Sequence, residues 1–304
     1  MIQYYVLVER HGLKKMASFH PNSWVYVCNP TEEELQMLSD RFHLELGHLK
    51  DALDENEVPR FEEEDTCAYL YTRIPVARDT QYGTMPVLFI LHPTAVFSVS
   101  KNNFAIFEKF LTGKNNHAVT PMELFIQFFN EIVNHYNSAI SKINKQTIST
   151  TINIDNIKNH DIVALVMYEQ ILNEFLNAVV QTNAFLQVFM TNKRFVKKEK
   201  DQDFIEDLFL ATRQLIELSK SSLYHVKNIR EAYSTIMTNN LNRIIKFFTA
   251  LTIVCTIPMI VASLYGMNVQ LPLQNHPYAF MIVLAFTFCL SLGAIGIFLK
   301  RRWL

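Results

Sequence analysis

Residues 264–280 read LYGMNVQLPLQNHPYAF and turn on Gly266, Met267 and Asn268 with no acidic or basic side chain in the turn. The polar chemistry available there is that of a dipole, an asparagine amide that accepts through its carbonyl oxygen and donates through its NH2. Upstream, Asn242, Thr249, Thr256 and Ser263 recur every seven residues, with Thr252 close to the same face. That spacing keeps one side of a helix toward a bundle axis, so the line could face a path for a polar solute. The same residue types in an apolar helix can instead bond their own backbone or a neighbouring helix, and spacing alone leaves both readings open. In the loop that follows, His276 is the one side chain that titrates near neutral pH, and it reads as a loop residue rather than a metal ligand.

The elements that position these residues are two apolar runs. From Phe247 to Met267, and again from Tyr278 to Leu299, there is no Asp, Glu, Lys, Arg or His. Each run exceeds the roughly 20 residues that a helix needs to cross a ~30 Å hydrocarbon core. Both are therefore expected to be transmembrane helices. Arg243 and Lys246 precede the first and Lys300, Arg301 and Arg302 follow the second, while the linking loop has no Lys or Arg. The positive-inside bias then puts both termini in the cytoplasm and the loop outside. Two helices cannot enclose an aqueous path, because their outward faces must stay apolar in lipid; any conduction needs an oligomer. Pro258 is expected to distort the first helix locally.

Between Pro121 and Pro258 there is neither Gly nor Pro, so only polar clusters interrupt helices there. The clusters TTINIDNIKNHD (150–161) and NKRFVKKEKDQD (192–203) divide the stretch into helices expected at 121–149, 161–192 and 203–264. The last has apolar residues at three- and four-residue spacing and runs into the first membrane helix without a break signal. Before residue 121 the pattern is IQYYVLV, SWVYVCN, CAYLYTRIPV, PVLFILH and AVFSVS, β-branched and aromatic runs that read as strands. Thr31 and Glu34 form a capping-box pattern before a helix. The expected organisation is an α/β domain over 1–120, a helical stalk over 121–246, and a transmembrane hairpin with a basic tail over 247–304.

Composition narrows the functional classes. With 304 residues, 49% hydrophobic and 19% charged, the chain can bury a large core, and a net charge of -1 gives no reason to expect nucleic acid as a partner. Cys28, Cys67, Cys255 and Cys289 show no metal-ligand spacing, which suits a reducing compartment. The opening MIQYYVLVER lacks the order of a secretory signal. No Gly-rich phosphate loop, HExxH or triad order appears, so an enzyme active site has no sequence support.

YGMN at the outer end of the first of two C-terminal apolar helices, before a short loop and a basic tail, resembles the CorA family of divalent-cation channels. SWVYVCNPTEEE, LKDALDENEVPR and NNLNRIIKFFTALT are similar to further stretches of that family, so the likeness runs the length of the chain. The resemblance implies a homopentamer with a funnel-shaped cytoplasmic domain, a pore lined by the first membrane helix, and Mg2+ as cargo in the cell membrane. It implies a selectivity filter of Gly266, Met267 and Asn268, with Asn268 carbonyl oxygens accepting hydrogen bonds from the waters of a hydrated ion. It places Asn242 at the inner half of the pathway, apolar constrictions at Phe248 and near Ile257, and the hydroxyl line of Thr249, Thr252, Thr256 and Ser263 in register with the pore to within one residue. The bland alternative is that Gly-Met-Asn only caps a helix.

The resemblance also implies closure by cytoplasmic Mg2+ between subunits, at Asp51 and Asp207. Two carboxylates about 6 Å apart at an effective dielectric of ~20 repel by roughly 3 kcal/mol, which could splay the stalks once the ion leaves. Lys50 stands where the family can have a second acid, and Asp54 or Glu55 could take its place; the loop also lacks the acid often found in the family. Zn2+, Co2+ or Ni2+ is the rival cargo. A non-conducting membrane-anchored sensor or scaffold is the rival class, and it predicts tolerance of Thr256→Val. Lipid headgroups and topology account equally for the basic tail.

Overall fold

The computed structural model describes residues 1–8, 12–78, 81–111, 120–151, 159–192, 196, 198–273 and 276–303. Most of the first polar cluster (152–158) and part of the second (193–195 and 197) lie outside the described residues. The chain divides into two compact units, Met1–Ile229 and Arg230–Leu304.

In the first unit, strands β1 (Ile2–Val8), β2 (Gly12–Met16), β3 (Ser23–Cys28), β4 (Arg60–Glu64), β5 (Cys67–Arg78), β6 (Gln81–His92) and β7 (Ala95–Ser100) form one sheet in the order β2-β1-β3-β7-β6-β5-β4. Neighbours are antiparallel except β3 and β7, which run parallel. Helices α1 (Glu32–Phe42) and α2 (Leu46–Asp51) follow β3, α3 (Ala105–Leu111) follows β7, and α4 (Pro121–Thr151) and α5 (Asn159–Thr191) come next. All five expected strands form. The sequence reading missed β2 and β4, which sit at the two sheet edges and carry Lys14, Lys15 and Glu62 to Glu64. Charges on an edge deter pairing with other chains, and they also erase the apolar signature of a strand.

Alternation along the strands builds two cores. Val25, Val27, Leu88, Ile90, Phe97 and Val99 join Leu35, Leu38 and Phe42 of α1 and Leu49 of α2 in one buried cluster. The intervening residues serve the opposite face. There Trp24 lies 4.9 Å from Phe128 of α4 and 5.5 Å from Phe107 of α3 (ring centroids), Phe89 lies 5.6 Å from Phe128, and Trp24 Nε1 donates to Ser98 Oγ at 2.8 Å. The Thr31–Glu34 capping box is present with both of its bonds, Glu34 N–H to Thr31 Oγ1 at 3.2 Å and Thr31 N–H to Glu34 Oε2 at 3.0 Å.

The Gly- and Pro-free stretch forms α4, α5 and α6 (Glu199–Tyr265), the last a continuous 67-residue helix with Pro258 inside it. Its start lies four residues ahead of the sequence expectation. Asp201, in its first turn, is 4% exposed. Burial raises its carboxyl above the ordinary range, Glu123 adds to this, and Lys198 and Lys200 oppose it. An acid whose folded pKa is raised destabilises the fold once pH climbs through that pKa, and costs nothing below the unfolded value near ~4. Asp201→Asn should therefore raise the melting temperature at pH 7, with the gain shrinking toward zero as pH approaches 4 in thermal melts.

Among the described residues three helices are long and apolar enough to cross a membrane: His160–Thr191, α6 and α7 (Ala279–Lys300). The first differs from the others. In its most apolar window 33% of residues are buried inside the protein, against 6% for α6 and 0% for α7. Leu172, Phe175, Val179, Phe185, Leu186 and Phe189 of α5 are buried, and α5 contacts α4 and strands β4 to β6. Its hydrophobicity is spent on a protein core, as that of α7 and of the most apolar window of α6 is not.

Candidate functional site

The second unit carries the turn. Helical bonding in α6 continues to Gly266, whose N–H donates to Ala262 O at 2.9 Å, and then tightens as Met267 N–H reaches Leu264 O at 3.3 Å. Gly266 is not in the left-handed region, so a left-handed glycine cap is not what ends this helix. A Cβ at Gly266 would lie 3.3 Å from Ala262 O and 3.6 Å from Ser263 O, so any larger residue would press on the last turn. Tyr265 Oη donates to Pro272 O at 3.3 Å and ties the helix end to the loop. Met267 lines an apolar groove with Pro258, Ala262, Tyr265, Phe280 and Val283. Asn268 is exposed, and among the described residues no hydrogen bond engages its amide.

Along α6 the hydroxyls of Thr249, Thr252 and Thr256 donate to Ile245 O, Phe248 O and Thr252 O at 2.7, 2.8 and 2.7 Å. Each proton is thus used within the helix, one of the alternatives the spacing left open, and each oxygen keeps its lone pairs as an outward acceptor. Pro258 has no N–H to offer Val254 O, which adds one more free acceptor on the helix. Asn242, Phe248 and Ser263 are exposed and Ile257 is half-buried. The Phe247 and Phe248 rings meet at 5.6 Å. Phe248 is 59% exposed, Met259 70% and Phe280 75%, and no residue of α7 is buried. So much bare apolar surface on two helices needs lipid or another chain to cover it.

The acidic residues lie in the first unit. Asp51, the last residue of α2, accepts from Arg60 Nη2 at 2.9 Å through Oδ2. Arg60 is also held by Glu57 and Glu62. Asp207 is exposed on α6 and lines a groove with Glu123, Gln127, Asn130 and Lys200. Both carboxylates supply the oxygen donors that Mg2+ takes, although Arg60 already occupies one acceptor position on Oδ2 of Asp51. Lys50 contacts Glu32 at 3.6 Å. The arginine clamp on Asp51 was not foreseen from the sequence, where Arg60 appeared only as the end of LKDALDENEVPR.

The model of the CorA-like Mg2+ transporter protein family matches residues 21–301 of this chain. The chain belongs to that family. The cobalt/magnesium transport protein CorA of Methanocaldococcus jannaschii is 22% identical over 288 residues, covering 92% of this chain and 91% of that protein. A magnesium transport protein CorA of Campylobacter jejuni is 22% identical over 304 residues, covering 92% and 91%. The complete structure of the M. jannaschii CorA magnesium transporter superposes with a TM-score of 0.87 at 20% identity, covering 100% of this chain and 99% of that one. The expected architecture stands: an N-terminal α/β sheet domain, a long helix and a C-terminal apolar helix, the fold of CorA proteins.

Proposed function

We propose that this chain is the subunit of a homopentameric channel that passes Mg2+ into the cell, selecting the hydrated ion at Asn268. The observation that carries the reading is the exposed Asn268 amide, without a hydrogen bond among the described residues, at the end of the apolar stretch of α6, in a chain of this family. Mg2+ holds its waters at about 2.0–2.1 Å and sheds them reluctantly. Those waters present protons outward, so a filter for the intact aqua ion should be built of acceptors. Five Asn268 carbonyl oxygens around an axis would meet them without the trapping charge of carboxylates, and the outward oxygens of Thr249, Thr252, Thr256 and Ser263 would continue the acceptor path toward Asn242. Rings of Phe248 and Ile257 would close it by dewetting. Gly266 lets the turn close tightly, and Met267 anchors it in the groove against α7.

In this reading α6 and α7 span the membrane, with residues 1–246 and both termini on the cytoplasmic side, as Arg243, Lys246 and Lys300 to Arg302 favour. A divalent ion gains about 4.6 kcal/mol per 100 mV of inward potential, from ~2.3 per charge, so no chemical fuel is needed. Cytoplasmic Mg2+ held between Asp51 and Asp207 of neighbouring copies would favour closure, in competition with Arg60. Co2+ is the second cargo to test, because the M. jannaschii relative is named for cobalt as well as magnesium.

Purified protein in liposomes holding a Mg2+-sensitive dye should show uptake driven by an inward potential and slowed by Mg2+ on the cytoplasmic face. Zn2+, Co2+ and Ni2+ added as competitors rank the cargoes. Liposomes that stay as tight as protein-free ones would contradict conduction and favour a tethered sensor.

A further inference from the structure

Outside the ion pathway, one buried nitrogen faces two carboxylates. His48, on α2, has a side chain only 8% exposed; its Nε2 lies 3.5 Å from Glu62 Oε2 and 3.4 Å from Glu64 Oε1 and makes no hydrogen bond among the described residues. Glu62 and Glu64 are alternate residues of β4 and therefore share a face. Across the sheet Glu62 pairs with Tyr69, whose ring lies 4.2 Å from the His48 ring and fixes its position.

Tyr71 lies against both polar atoms of His48, its hydroxyl 3.1 Å from His48 O and 2.9 Å from His48 Nδ1. Given to Nδ1, the phenol proton would leave the ring proton on Nε2; given to the carbonyl, it makes Nδ1–H the donor in the second contact and leaves the Nε2 lone pair pointing at two anionic oxygens. Such an arrangement is repulsive unless a cation sits among the three atoms. Arg60 does not fill this role, since it holds Glu62 through Oε1, the other oxygen.

We propose that His48 Nε2, Glu62 Oε2 and Glu64 Oε1 bind a borderline first-row divalent cation of the Zn2+ or Co2+ class. The three donor atoms lie within 4.8 Å of one another. A tetrahedral ion at ~2.0–2.1 Å from its ligands requires donor–donor edges of about 3.4 Å, which both histidine–carboxylate distances match. Three protein ligands leave the fourth position to water. The nitrogen donor favours these ions over Mg2+, which takes oxygen. The Nδ1–H bond to Tyr71 is the outer hydrogen bond that metal-ligating histidines usually make. Glu62 and Glu64 bring two carboxylates to the position, while the nearby Arg60 guanidinium is itself held by Asp51, Glu57 and Glu62, so the local field attracts a cation.

The test is Co2+ titration of the full-length protein in detergent, stripped of metal, read by visible d–d absorption, which is intense for tetrahedral and weak for octahedral Co2+. Wild type should develop the intense bands at one Co2+ per chain, and excess Mg2+ should leave them in place. Glu64→Gln, half-exposed on an edge strand, and His48→Gln should each raise the Co2+ concentration needed by at least about tenfold. Asn268→Ala should leave the bands unchanged, which separates this site from the proposed pathway. If His48→Gln fails to fold, Glu64→Gln alone decides. Absence of intense bands in wild type, their survival in folded Glu64→Gln protein, or their displacement by equimolar Mg2+ would overturn the proposal.

Discussion

Asn268→Ala is expected to lower Mg2+ flux in liposomes at least tenfold while leaving the protein folded and assembled. The side chain is exposed and makes no hydrogen bond among the described residues, so its removal takes little packing or bonding from the subunit. What it takes, in a five-fold ring, is five acceptors for the hydrated ion. At about 1 kcal/mol net per hydrogen bond, even two lost contacts exceed the ~1.4 kcal/mol that equals a factor of ten. Asn268→Asp separates dipole from charge: a ring of carboxylates should bind the ion more tightly and release it more slowly, so flux should also fall, through saturation at lower Mg2+. Equal flux for wild type and alanine variant would remove Asn268 from the selective step.

Phe128→Ala should have the largest effect on stability, about 3–5 kcal/mol, the usual range for emptying a fully buried aromatic site. Phe128 is 0% exposed, and its ring meets those of Trp24, Phe89, Phe107 and Phe110 at centroid distances of 4.9 to 5.6 Å for the first three pairs and 4.7 Å for the last. It joins α3 and α4 to strands β3 and β6, so the hole cannot collapse without moving several elements. Urea unfolding followed by Trp24 fluorescence reads the loss, because that indole packs directly on the missing ring. Phe280→Ala is the comparison. That ring is 75% exposed in the chain and should shift the Trp24-reported midpoint little.

Where the sequence was legible, one physical signal dominated each segment. The charge-free runs marked two apolar helical stretches long enough to cross a bilayer, and the Gly- and Pro-free stretch between Pro121 and Pro258 marked α4, α5 and α6, because only its polar clusters interrupt helices. The β-branched and aromatic run SWVYVCN announced a strand. Strands β2 and β4 were illegible because an edge strand is held by the backbone bonds of its neighbour, and GLKKM and RFEEE carry no apolar period of their own. The hydropathy of α5 resembles that of a membrane helix, and only its packing against the sheet separates the two cases.

At the site, the types and spacing of Asn268 and the threonine line were readable from the chain, whereas the use of each threonine proton on its own helix was not, since a hydroxyl's direction is decided by its rotamer. The arginine clamp on Asp51 and the position of His48 between Glu62 and Glu64 depend on how α2 lies against β4. These residues are 9 to 16 positions apart, and no periodicity links them.

Cryo-electron microscopy of the protein in lipid nanodiscs with Mg2+ is the decisive observation for hydrated-ion selection. It is expected to show five subunits with the Asn268 carbonyl oxygens converging on the central axis around ion density, separated from it by a water shell. Asn268 turned toward lipid, or an assembly with no central passage beside it, would contradict that mechanism.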